Sequence, residues 1–126
     1  MKIDEKYIPI ILGISAALII GVLGFLSLET SLGYWLIFSF GATTFSILVF
    51  YKADMAQPRN VFFGHLVSII VGILFNEIFG MSFITLGLAV GLALTLMIYF
   101  KVEHPPAAAN PLIALLSDVS FEFIFL

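Results

Sequence analysis

The chain has 126 residues, 62% of them hydrophobic and 10% charged, with a formal charge of −3 and a mean hydropathy of +1.20. Soluble domains carry about 25% charged residues, so this composition excludes a water-soluble globular fold and points to an integral membrane protein. The absence of cysteine rules out disulfides, thiolate nucleophiles and cysteine-based metal sites.

The first apolar run covers about 8–28. Its leader, Met1-Lys2-Ile3-Asp4-Glu5-Lys6, resembles the start of a signal peptide. The run is of full spanning length and others follow it, which predicts a retained first helix. Further runs cover about 32–51, 61–79 and 83–100, each close to the roughly 20 residues that cross a bilayer as helix. The gap from Glu29 to Ser31 reads as a tight turn, Lys52 to Asn60 as a longer polar loop, and Gly80 to Ser82 as another short turn. After Lys101-Val102-Glu103 comes His104-Pro105-Pro106-Ala107-Ala108-Ala109-Asn110-Pro111. Two adjacent prolines stop an incoming helix and suit the first turn of a new one. Three alanines then favour helix until Pro111 interferes. From about 105 onward the pattern predicts a short broken or re-entrant helix, or a partial fifth span. Phe121 to Leu126 is apolar with no flanking cation, which predicts a membrane-embedded half-helix or a last span that is cut. The expected fold is all-α. It is a polytopic membrane helix bundle of four transmembrane helices plus the short broken C-terminal helix, in one transmembrane domain over 1–126.

Charge placement predicts orientation. Lys2 and Lys6 precede the first run, Lys52 and Arg59 lie between the second and third, and Lys101 follows the fourth. Four crossings put all five on one side. Lysine and arginine gather on the cytoplasmic side, so the N-terminus and the His-Pro-Pro stretch are expected there, in a cell (inner) membrane. Phe50-Tyr51-Lys52-Ala53-Asp54 also resembles Tyr99-Phe100-Lys101-Val102-Glu103. This is either a parallel repeat of two hairpins, as in transporter folds, or the common look of any cytoplasmic border.

Membrane helices pack through small residues. The stripes are Gly13, Ala17 and Gly21; Ser39, Thr43 and Ser46; Gly64, Ser68 and Gly72; and Gly87, Gly91 and Thr95. Spacings of three and four place each set on one face. Tight packing is the plain reading. A hydroxyl-lined conduit is the functional one, with Thr43, Thr44 and Ser46 its best material. Four short spans make a thin bundle, so a homo-oligomer is expected, through Gly87 to Gly91 or Gly13 to Gly21.

No charged residue lies mid-span. That argues against a carboxylate relay and, with no catalytic constellation, metal cluster or phosphate-cradling loop, against an enzyme. No cofactor is implied, two histidines without cysteine make a structural metal site unexpected, and nucleic acid has no basic patch to meet. The remaining chemistry gathers at the cytoplasmic boundary. Asn60 reads as an N-cap with Arg59 beside it. His65 stands about 7–8 Å further along the helix. His104, Pro105 and Pro106 open the second helix start. Two helix N-termini, a guanidinium and two imidazoles suit a small planar oxyanion. In the plainer readings Arg59 is a membrane anchor, His65 a packed neutral imidazole, His104 a loop cap, and the prolines structural.

Ala56-Gln57-Pro58-Arg59-Asn60-Val61 with Gly64-His65-Leu66, then Glu103-His104-Pro105-Pro106-Ala107, with Phe40-Gly41-Ala42 ahead of them, resemble the signatures of the HPP family of integral membrane proteins. The resemblance covers roughly residues 36 to 116. It implies a compact multi-span protein whose members are linked to nitrite transport; members usually continue into a final hydrophobic helix, and this chain stops earlier. The expectation is a transporter or channel for a small inorganic anion such as nitrite, working in the lipid bilayer. Arg59 attracts the anion, Asn60, Pro105 and Pro106 start the helices that meet it, His65 and His104 bind it, and Thr43 and Thr44 line the path. The alternative is a non-transporting membrane scaffold or sensor subunit.

Overall fold

The computed structural model of the chain describes residues 4–29 and 36–121. Within them the chain is helical: α1 (Ile8–Glu29), α2 (Leu36–Val49), α3 (Pro58–Phe79), α4 (Phe83–Tyr99) and α5 (Asn110–Leu116), with 3₁₀ turns at Glu5–Tyr7, Asp54–Ala56 and Pro105–Ala109. The expected turn at 29–31, the start of the second run, Lys2 and the last five residues lie outside the described residues. α1 and α3 are long and apolar enough to cross a membrane, about 33 Å each at helical rise. α4 is shorter, about 26 Å, and the described part of α2 covers about 21 Å, against a hydrocarbon core of about 30 Å.

Three details differ from the sequence expectation. α3 begins three residues early, with Gln57 as its N-cap and Pro58 in the first turn. Proline there forfeits no hydrogen bond, so Asn60 is not the cap and its side chain is free for other work. The alanines after Pro106 form a 3₁₀ turn, and Pro111 falls in the first turn of α5. Pro111 therefore opens a helix where interference was expected, for the same reason. On α4 the buried line is Thr85, Ala89, Ala93 and Met97, spaced by four, whereas Gly87 and Gly91 face open space. A capping box between Ser82 and Thr85 starts this helix with Thr85 turned inward, and the alanines follow it.

The core is the assembly of α3, α4 and α5. Val71, Ala89, Ala93 and Leu115 pack together, and Ile73 with Ala114 and Val119 forms a second cluster on the α5 side. Met97, Val102 and Ala107 close the end near the prolines. Lipid removes the hydrophobic drive between helices, so close approach and dispersion hold such an assembly. Gly72 supplies that approach: a Cβ there would stand 2.7 Å from the Cα of Pro111 and 2.8 Å from the Cβ of Ala114. Near the prolines Ser68 donates from Oγ to the carbonyl of Ala107, and at the opposite end of α3 Asn76 donates to the Asp118 carboxylate at 2.8 Å. α2 docks on the Pro105–Ala109 turn, and α1 packs on α2. The rest of α1 is outward and apolar, with Leu18 and Phe25 about two-thirds exposed. Gly13 and Gly21 have nothing within 4 Å of a Cβ position.

Candidate functional site

The site is assembled by His104 and the prolines after it. A residue before proline is pushed to extended backbone, and His104 sits at φ −143°, ψ 96°. The chain therefore leaves α4 through Lys101, which has a positive φ of 55°, and runs extended beside the start of α3. Arg59 donates to the Lys101 carbonyl at 3.3 Å and Asn60 to the Glu103 carbonyl at 3.1 Å. Gly64 lets His104 in: a Cβ at Gly64 would lie 2.8 Å from the His104 Cβ and 2.9 Å from the Val102 carbonyl oxygen. His104 is fully buried, and the His65 and His104 rings stand 5.0 Å apart, edge on.

Thr43 of α2 joins them. Its Oγ1 is 2.9 Å from His65 Nε2 and 3.0 Å from His104 Nε2, and also 3.0 Å from the Ser39 carbonyl. The outer ring nitrogens fix who donates. His104 Nδ1 lies 2.7 Å from the Met55 carbonyl, which can only accept, so Nδ1 carries the proton and neutral His104 accepts at Nε2. Asn110 Nδ2 lies 2.9 Å from His65 Nδ1 and 3.2 Å from the His65 carbonyl. That carbonyl assigns the amide orientation, since a turned amide would set two oxygens together. His65 therefore accepts at Nδ1 and donates from Nε2. The result is a bonded chain in which Asn110 donates to His65, His65 to Thr43 and His104 to Met55, while the single Thr43 hydroxyl proton is shared between His104 Nε2 and the Ser39 carbonyl. Burial pushes the His104 imidazole below its ordinary value, and the bond to Met55 pulls the other way.

A cavity of about 560 Å³ lies between α2 and α3, and Asn110 of α5 reaches it. Phe40, Ile47, Val61, Phe62, Leu66 and Ile69 make its walls apolar; Ser39, His65 and Asn110 are its polar groups. Phe40 stacks on His65 with ring centroids 5.4 Å apart.

The structure thus brings Thr43, His65 and His104 into direct contact, while Arg59 and Asn60 brace the strand that carries His104. Thr44 is buried beside Thr43 and takes no part in the bonded chain. Arg59 is exposed and is not among the residues lining the cavity. The expected donors at the second helix start are absent. Pro105 and Pro106 have no N–H, and the Ala107 amide is taken by the His104 carbonyl at 2.9 Å. Two participants were not read from the sequence, Asn110 and the Met55 carbonyl. Asn110 carried a signal, a polar side chain before Pro111 in an otherwise apolar stretch; a backbone carbonyl carries none. Among the described residues no group of His, Asp or Glu is placed to hold a metal ion.

The sequence profile of the HPP family, described as its transmembrane region, matches residues 4–126. A transmembrane protein of Dictyostelium discoideum is 36% identical over 87 residues, which is 66% of this chain and 28% of that protein. A second transmembrane protein of the same organism is 35% identical over 98 residues, 71% of this chain and 34% of its own length. The chain thus spans about a third of the length of these relatives. No solved structure matches it.

Proposed function

The chain belongs to the HPP family of transmembrane proteins, and from that premise we propose that it carries a small inorganic anion, nitrite, across the membrane. The observation that supports this is the bonded chain from Asn110 through His65 and Thr43 to His104, lying against an open cavity. Ionisable side chains within a membrane bundle are expensive and mark paths for solutes or protons. Here His104 is the one ionisable side chain among the fully buried residues described. In this reading the solute passes between α2 and α3 and meets His65 and Asn110, Thr43 and His104 hold His65 in place, and Arg59 draws anions to the entrance. Catalysis is not part of it. The chain crosses four times, with Lys6, Lys52, Arg59 and Lys101 on the cytoplasmic side of the cell's inner membrane. A second copy covers the outward face of α1. A scaffold or sensor subunit without transport is the second reading, favoured by the cavity's being only partly enclosed.

Nitrite uptake into proteoliposomes tests the proposal. Wild type is expected to exceed protein-free vesicles, and a folded His65→Gln variant to lose most of that excess. Wild-type uptake no faster than protein-free vesicles, with the protein held in a stable complex with another membrane protein, would leave the scaffold reading.

A further inference from the structure

The cavity's polar groups are His65, Asn110 and the neutral hydroxyl of Ser39, and the first two are engaged with the protein itself. His65 gives its one N–H to Thr43, and its other nitrogen accepts from Asn110. The amide nitrogen of Asn110 is turned to His65, within hydrogen-bond distance of both its ring and its carbonyl. What Asn110 retains is Oδ1, an acceptor. No Lys or Arg is among the lining residues. The charged residues of the elements packed around His65, namely Asp54, Arg59, Lys101 and Glu103, are all exposed. The titratable group facing His65 is His104, which shares Thr43 with it.

An imidazolium at His65 cannot serve as the missing counter-charge. A proton on Nδ1 would point at the Asn110 amide hydrogens. Turning that amide would press its oxygen against the His65 carbonyl, now 3.2 Å from Nδ2. A bare anion in this space would meet apolar walls, acceptors, one neutral hydroxyl and no positive charge, and an ion desolvated without a counter-charge is heavily penalised. A neutral acid brings its own O–H donor, which suits what the site offers.

We infer that the cavity admits its solute as a small neutral weak acid, so that the substrate class is set by whether the protonated form exists and not by the planar oxyanion shape. This rests on the transport reading above and specifies it. Nitrous and formic acids qualify. Nitrate has a similar planar shape but is the anion of a strong acid, and is excluded. The anion gathered near Arg59 takes a proton before it enters, and one proton accompanies each anion across.

The test uses wild-type protein in liposomes, with uptake by protein-free liposomes subtracted at every condition. Nitrite, formate, nitrate and chloride are offered at several external pH values. The membrane potential is clamped at two settings with potassium and valinomycin, and an entrapped dye reports internal pH. The expected result is protein-dependent nitrite and formate uptake that rises about tenfold for each pH unit of external acidification. It is indifferent to the potential and acidifies the lumen, and nitrate and chloride are not taken up. Nitrate uptake comparable to nitrite, or nitrite flux that follows the imposed potential, would overturn the inference while leaving transport intact. No protein-dependent flux of any of the four would overturn the transport reading and this inference with it.

Discussion

The Thr43 hydroxyl is the joint of the histidine chain, because it stands within hydrogen-bond distance of both rings. Replacing it tests that geometry at nearly constant volume. Thr43→Val leaves the His65 N–H and the His104 Nε2 without their partner, and an unsatisfied buried polar group costs about 1–3 kcal/mol. Thr43→Ser keeps the hydroxyl and is expected to stay within about 1 kcal/mol of wild type. Thr44→Val removes a hydroxyl outside the chain and is expected to resemble Thr43→Ser. Thermal unfolding in detergent ranks the three; equal loss in Thr43→Val and Thr44→Val would contradict the network. At this scale the sequence was partly legible. His65, His104 and Thr43 stand out because polar groups are rare in apolar runs. Their bonding was not readable, since it depends on α2 docking against a turn 61 residues away in sequence, and no local pattern encodes that register.

Helices were legible as apolar runs, yet their inward faces were not, and the glycines show why. Small residues permit close packing without saying which face is packed. α3 uses its glycines: Gly64 and Gly72 lie within 3 Å of neighbouring atoms once a Cβ is added. α4 turns Gly87 and Gly91 outward and packs its alanines. The same substitution therefore has opposite consequences on neighbouring helices. Gly72→Ala must push Pro111 and Ala114 away, and overpacking of this kind costs about 1–3 kcal/mol. Gly87→Ala meets open space within the chain and gains helix propensity, so it is expected to be neutral or stabilising by up to about 1 kcal/mol. Detergent melting curves of the two variants give the comparison. Should Gly87→Ala prove as damaging as Gly72→Ala, that face is covered by something outside this chain, and an oligomer through Gly87 to Gly91 replaces the one proposed on α1.

For the whole molecule, the arrangement of charges and helix ends makes one connected demand. Lys6 precedes α1, Lys52 follows α2, Arg59 lies in the first turn of α3, and Lys101 follows α4. The opposite ends carry Glu29 and, around the α3–α4 turn, Glu77 and Met81. If four helices cross, every positive charge among these sits on one surface with His104 just beneath it, and only carboxylates lie on the other. The rule that collects lysine and arginine in the cytoplasm then fixes the side. If only α1 and α3 cross, the two helices long and apolar enough to do so, α2 and α4 lie along or within the boundary and the two surfaces are not separated in this way. The chain contains no cysteine, so single replacements report without background. Glu5→Cys, Asp54→Cys and Glu103→Cys are expected to react with an impermeant maleimide only in inside-out vesicles, and Glu77→Cys and Met81→Cys only in right-side-out cells. Labelling of Asp54→Cys and Met81→Cys from the same side would exclude a membrane crossing by α3 or require it to return, and the cavity between α2 and α3 would then open on one surface only.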